Sequence, residues 1–246
     1  MTLSSIFRWL AVTALASSIA PGFAAPFEDT IAQRTQACMA CHGNQGRAAA
    51  DGYYPRLAGK PAGYLYNQLL NFKEGRRHYG LMTQLVDPLT DAYLMEIAQY
   101  FSHIEAPYPA PLPTSAPAAV LEKGRQLVMQ GDTARQVPAC VQCHGQAMTG
   151  VLPATPGLLG LPRDYVNAQL GAWKAGQRRA HPPDCMKAVV AKLSDEDIFA
   201  ASSWLAAQAV PADAHAVAQR PAVAAGDKVI ECGTSAAAYT AGKAPP

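Results

Sequence analysis

The pentapeptide Cys-x-x-Cys-His occurs twice in this chain of 246 residues, and it constrains the fold more than any other feature. In each copy the two thiols are spaced to form thioethers with the two vinyl groups of one haem, and the adjacent histidine binds the iron. A single Cys-x-x-Cys pair would also suit half of a zinc site or a redox-active dithiol. Two copies, each followed directly by histidine, favour two covalently bound haem c groups. The predicted attachment residues are Cys38, Cys41, Cys140 and Cys143, and the predicted iron ligands beside them are His42 and His144.

The amino terminus has the layout of a secretory signal peptide, predicted over residues 1–24. Arg8 precedes an apolar run from Trp9 to Ala20, and cleavage is favoured after Ala24 or Ala25. The apolar run is shorter than the roughly 20 residues that a membrane-spanning helix needs. We therefore expect export to the periplasm, where disulfides also persist.

The rest of the chain contains an internal duplication with an offset of about a hundred residues. The segment 55–59 matches 156–160, and each is followed by a Tyr-x-x-x-Gln pattern. The Leu-Thr-Asp of 89–91 answers to the Leu-Ser-Asp of 193–195. Further matched pairs are Gln68 with Gln169, Phe72 with Trp173, Gly75 with Gly176, Arg77 with Arg178, and Tyr100 with Trp204.

This duplication predicts two tandem domains, at 25–104 and 119–210. A proline-rich linker at 105–118 separates them, and an Ala/Pro-rich tail follows at 211–246. Each domain is small enough to need extra apolar material in its core, which a tethered haem would provide.

Coarse secondary structure is predicted to be helical. Thr90 and Ser194 each resemble an N-cap that precedes apolar residues at helical spacing, and another amphipathic helix runs through Gly124. No run of alternating strand residues stands out. The predicted fold class is mainly α, with a few helices wrapped around one covalent haem in each domain.

A second iron ligand must come from downstream of each motif, far enough along the chain to reach the opposite face of the haem. Methionine is the first candidate, because Met82 and Met186 occupy the same position in the two halves, just before a capped helix. His78 and His181 lie a few residues earlier and would give bis-histidine haems instead. Cys185 is a third alternative for the second haem, as a thiolate.

Together these motifs resemble the tandem dihaem class I cytochromes c of the cytochrome c4 type, over roughly residues 31–208. The resemblance implies that a proline after each motif, Pro55 or Pro156, accepts a hydrogen bond from the proximal histidine through its carbonyl oxygen. Such a bond orients the imidazole ring and tunes its basicity.

The chain departs from this family in its tail and in two cysteines outside the haem motifs. In an oxidising compartment these two, Cys185 and Cys232, most simply form a disulfide. That disulfide would hold the tail across the loop that carries Met186.

With histidine and methionine on its two faces, each iron would have no open position for a substrate, so the prediction is an electron carrier with no catalytic residues. The expected partners are redox proteins such as an oxidase, a reductase or a dehydrogenase, with peripheral association with a membrane complex as a further option. A formal net charge of +2 gives no support for a nucleic-acid partner. Two alternatives stay open: a cytochrome subunit of a periplasmic dehydrogenase, and an enzyme of the dihaem thiosulfate dehydrogenase type.

Overall fold

The computed structural model describes residues 28–48, 52–111, 113–222 and 230–233. The predicted signal peptide and most of the predicted tail lie outside these ranges. The described part is mainly helical, as predicted. The first half contains α1 (Ile31–Arg34), α2 (Gln36–His42), α3 (Ala62–Lys73), α4 (Gly80–Val86) and α5 (Asp91–Ser102). The second half contains α6 (Ala118–Met129), α7 (Val141–His144), α8 (Arg163–Lys174), α9 (Cys185–Val190) and α10 (Asp195–Ala206).

The two halves repeat one arrangement of three helices. In the first half α3 packs against α4 and α5, and in the second half α8 packs against α9 and α10. Each half has its own apolar core. The first is centred on Leu94 and Phe101, and the second on Val128 and Leu205.

Both predicted N-caps are confirmed. The Thr90 hydroxyl accepts a hydrogen bond from the amide of Tyr93 at the start of α5. Ser194 forms a full capping box with Asp197 at the start of α10. These caps satisfy amide groups that the first helical turn leaves without a partner, and they fix where each helix begins after its methionine segment.

A small antiparallel hairpin follows the second haem motif and was not predicted. It consists of β1 (Gly150–Val151) and β2 (Thr155–Pro156). Val217 from the tail adds to the same edge, because its amide donates to Gly150 O at 3.0 Å and its carbonyl accepts from Leu152 N at 2.9 Å. The tail is therefore bound to the loop that follows His144.

The segment between α5 and α6 contains neither helix nor strand among its described residues. It is held by Arg56, whose guanidinium donates to Pro107 O at 3.0 Å and also to Ala106 O. In the described part of the chain, no helix is long and apolar enough to cross a membrane.

The two halves meet through equivalent residues. The backbones of Arg77 and Arg178 pair as an isolated antiparallel bridge. Because these arginines match in the duplication, the contact relates the halves by an approximate two-fold axis. Two backbone hydrogen bonds flank the bridge, from His78 N to Gln177 O at 3.2 Å and from Arg179 N to Arg76 O at 2.7 Å.

Replacing Gly124 with alanine should destabilise the second half by about 1–3 kcal/mol, because overpacking forces backbones apart. A Cβ at Gly124 in α6 would collide with the Ala200 carbonyl of α10. Denaturant unfolding of the holoprotein, followed by circular dichroism, measures the loss.

Gly171→Ala is the matched control, since a Cβ there meets nothing within 4 Å and alanine is the better helix former. Equal stability of the Gly124→Ala protein and the wild type would contradict the close contact between α6 and α10.

Two candidate haem sites and the contact between them

The two motif histidines are held in the same way. His42 lies at the end of α2 and His144 at the end of α7, and both side chains are buried. The Nδ1 of His42 lies 2.7 Å from Pro55 O, and the Nδ1 of His144 lies 2.7 Å from Pro156 O. Because a carbonyl oxygen only accepts, each Nδ1 carries the proton and each Nε2 keeps its lone pair.

Burial also favours the neutral form of these rings. It lowers the pKa of His42 and of His144 below the ordinary histidine value, although the proline carbonyl acts in the opposite direction in both cases. Near pH 7 each Nε2 can therefore bind a metal without first losing a proton.

The four motif cysteines are partly buried and belong to no disulfide, and each pair lies within one helical turn of its histidine. Burial raises the pKa of Cys140 to about 11, and burial is also the main cause of a raised pKa at Cys38. A thiolate for zinc or for disulfide exchange needs the opposite shift. Burial at Cys38 and Cys140 thus disfavours the thiolate that zinc binding or disulfide exchange would use.

The methionine candidates occupy equivalent, half-buried positions. Met82 lies in α4 and packs against the first core, and Met186 lies in the first turn of α9. By contrast, the side chains of His78 and His181 are exposed.

A lysine bridges the helices on either side of each methionine segment. Lys73 Nζ donates to Leu89 O at 2.8 Å and to Asp91 Oδ1 at 2.9 Å. In the second half, Lys174 Nζ makes the same two contacts with Leu193 O and Asp195 Oδ1. This repeated bridge connects the end of α3 or α8 to the start of the next long helix, and so fixes the ends of the loop between them.

Cys185 is bonded to Cys232 in the structure, with Cα atoms 5.0 Å apart. The sulfur next to Met186 is therefore part of a disulfide and not a thiolate. Beyond the disulfide, Gly233 N donates to Pro183 O at 2.9 Å. The described end of the tail thus lies against the segment that precedes Met186.

Where the two halves meet, side chains from both of them form one reciprocal cluster. Arg77 donates to Gln68 Oε1 at 3.0 Å and to Gln169 Oε1 at 2.7 Å. Arg178 donates to Gln169 Oε1 at 2.7 Å and to Gln68 Oε1 at 3.0 Å. The duplication pointed to these four residues as matched pairs but did not predict that the pairs would meet.

Buried donors and cations in this region lack anionic partners, and a haem would supply such partners through its two propionates. Within the described residues, the buried Trp173 Nε1 has no hydrogen-bond partner. The buried side chains of Lys60 and Arg178 form no ion pair with a carboxylate there. Uncompensated buried charge is costly, so Lys60, whose charge acts on His144, fits an anionic cofactor beside that histidine.

The sequence repeat did not identify Arg56 and Lys60, two buried cations, as functional residues. Lys60 Nζ donates to Gly157 O at 3.0 Å, across the boundary between the halves. The sequence did contain a signal for them, because the two repeats differ at these positions. The second repeat has Gly157 where the first has Arg56, and Leu161 where the first has Lys60.

A family model described as "Cytochrome c" matches residues 30–98. The chain is 40% identical over 172 residues to the "Thiosulfate dehydrogenase electron acceptor" of Thiomonas intermedia (strain K12), covering 70% of the present chain and 78% of the relative.

Two solved structures extend the comparison. Reduced recombinant cytochrome c4 from Pseudomonas stutzeri is 34% identical, with a TM-score of 0.61, over 70% of this chain and 94% of that one. Thiosulfate dehydrogenase (TsdBA) from Marichromatium purpuratum is 32% identical, with a TM-score of 0.63, over 70% of this chain. The present chain covers only 36% of that protein, so the match concerns about a third of its length.

Proposed function

Since this chain belongs to the cytochrome c4 family of dihaem electron-transfer cytochromes, we propose that it accepts electrons from a dehydrogenase of the thiosulfate-oxidising type and passes them to a second redox protein. Membership of the family establishes two covalently bound haem c groups and a role as a carrier rather than an enzyme. The identity of the electron donor is the part of the proposal that goes beyond family membership. It is supported by the 40% identity to a thiosulfate dehydrogenase electron acceptor.

The proposed axial ligands are His42 with Met82, and His144 with Met186. In support, the hydrogen bonds from Nδ1 to the Pro55 and Pro156 carbonyls leave each Nε2 free, and the two methionines hold equivalent places in the duplication. Haem c supplies a reversible one-electron couple when it is bound. The protein keeps each imidazole neutral and in a fixed orientation, so a change of oxidation state requires little rearrangement of the side chains.

The two halves are proposed to act in series. The cluster of Arg77, Arg178, Gln68 and Gln169 fixes one half against the other through matched hydrogen bonds. A fixed spacing between the two motif histidines would let an electron enter one half and leave from the other.

The periplasm is the proposed location. Residues 1–24 have the pattern of a signal peptide, and the two cysteines outside the haem motifs lie within bonding distance in the fold. We also keep the proposed domain bounds of 25–104 and 119–210. They agree with two separate apolar cores, one on each side of the proline-rich segment.

Replacing Met82 or Met186 with alanine should remove about half of the weak near-infrared sulfur-to-iron absorption and lower the potential of one haem. Loss of the thioether would leave an iron position that a weaker ligand or water occupies. Spectra and redox titrations of each holoprotein measure both effects.

Met95→Leu is the matched control, because Met95 is a buried core residue of α5 and should leave the band unchanged. Absence of the band from the wild-type holoprotein, with loss of the low-spin spectrum of one haem on replacing His78 or His181, would replace this ligand set by the bis-histidine one.

Peptide mapping without reduction should recover Cys185 and Cys232 in one cross-linked species. Replacing Cys232 with serine should then lower the stability by about 2–4 kcal/mol, which is typical of losing a native disulfide. Recovery of both residues as free thiols from the native holoprotein would refute the disulfide.

The donor is tested by mixing the oxidised holoprotein with thiosulfate and a purified thiosulfate dehydrogenase in a stopped-flow instrument. We expect rapid appearance of the ferrous haem spectrum with the enzyme present and negligible reduction when the enzyme is omitted. Reduction by thiosulfate alone at catalytic rates would make the chain itself an enzyme. No reduction with the enzyme present would refute the proposed donor but leave the carrier role intact.

A further inference from the structure

Tyr108 lies in the segment between α5 and α6 and contacts both halves of the molecule. On the side of the first half, the guanidinium carbon of Arg56 lies over its ring, 3.7 Å from the ring centre. On the side of the second half, the ring packs so closely on Gly160 that a Cβ at that position would collide with it. One aromatic side chain is therefore in contact with residues of both halves.

The two contacts fall on matched segments of the duplication. Arg56 directly follows the proline whose carbonyl oxygen accepts the hydrogen bond from His42. Gly160 ends the matched segment 156–160, which begins with the proline that accepts the hydrogen bond from His144. The aromatic ring therefore lies against both of the segments that orient the motif histidines.

The Arg56 side chain is itself held in place, since only 5% of its surface is exposed. Its guanidinium donates to Ala58 O at 2.9 Å, to Pro107 O at 3.0 Å and also to Ala106 O. The same group that stacks on the ring thus binds the backbone that leads to Tyr108. A cation over an aromatic face is attracted more strongly where little water competes. These contacts fix the ring against the first half.

The other contact between the halves is polar and centres on one pair of matched residues. It consists of the arginine and glutamine cluster and the backbone bridge between Arg77 and Arg178. Polar contacts of this kind commonly let two domains move relative to each other. Tyr108 adds a contact at a different pair of segments. The duplication does not repeat it, because Gly157 stands at the position that matches Arg56.

We propose that Tyr108 is a positioning residue for electron transfer, which holds the two haem-binding halves at one spacing. The inference rests on the proposed action of the two halves in series. One electron leaves the half that is oxidised and enters the half that is reduced, while Tyr108 keeps its own electrons and its proton. A fixed spacing matters because small displacements between reacting groups lower a rate steeply.

The first test is the distance between the two ferric haems of the oxidised holoprotein, measured by pulsed electron paramagnetic resonance. We expect one narrow distance distribution in the wild type and in Tyr108→Phe, which keeps the ring, and a broader distribution in Tyr108→Ala. After pulse reduction, electron exchange between the halves should be about tenfold slower in Tyr108→Ala and unchanged in Tyr108→Phe. Both potentials and both near-infrared bands should be kept, because neither haem site loses a ligand.

Gly160→Ala and Gly59→Ala are a matched pair of variants. The two glycines have φ angles of +68° and +70°, so alanine is equally strained at each. A Cβ at Gly160 would displace the Tyr108 ring, whereas one at Gly59 meets nothing closer than Ile104 O at 3.7 Å. We expect the broad distribution and the slow exchange in Gly160→Ala alone. Adding Gly160→Ala to Tyr108→Ala should change little further, because both act through one contact.

An unchanged distance distribution and an unchanged rate in Tyr108→Ala would overturn the proposal. A slower rate together with a shifted potential or a lost near-infrared band would overturn it as well, since Tyr108 would then act on a haem site. A failure of the series action has a different signature, because the wild type itself would exchange no electrons between its halves. That result would overturn the transfer role before any variant is made.

Discussion

The hydrogen bond from each motif histidine to a proline carbonyl is the contact on which both sites depend. It joins His42 to Pro55, 13 positions further along the chain, and His144 to Pro156, 12 positions further along. The same bond sets the tautomer of the ring, so Nε2 points its lone pair away from the loop. Seven residues after each proline the chain enters the long helix that carries the interface glutamine, α3 or α8. The orientation of the imidazole and the placement of the contact between the halves are therefore linked through one short segment.

Much of this was readable from the sequence because it rests on local rules. Thr90 and Ser194 are N-caps by their own chemistry, and the helices after them follow from apolar spacing. The motif histidines and the prolines sit at positions that covalent haem attachment and the family resemblance both require. Those predictions needed no knowledge of which elements pack together.

The unpredicted features are those that depend on distant pairing. Strands of two residues, such as β1 and β2, are too short to show any alternation. The hydrogen bonds of Val217 to the hairpin and of Lys60 to Gly157 join residues far apart in the chain. In addition, a repeat is recognised by its similarities, so the difference between Lys60 and the matched Leu161 does not stand out.

The two halves also differ in how their methionine segments are enclosed. Met82 lies in a helix whose neighbours Leu81 and Leu85 are exposed, whereas the segment before Met186 is covered by the disulfide-linked end of the tail. The tail contacts the second half at two places, the hairpin near His144 and the loop near Met186. The described end of the tail therefore lies beside the methionine segment of the second half, while the helix that contains Met82 carries exposed leucines.

The reciprocal contact of Gln68 and Arg77 with Gln169 and Arg178 is isologous in character, since one surface meets its own copy. Two separate chains with such surfaces would associate only as their concentration allowed. Here the segment between α5 and α6 makes the partner a part of the same molecule, at an effective concentration on the order of millimolar for a short linker. The spacing between the two motif histidines is thereby independent of how dilute the protein is.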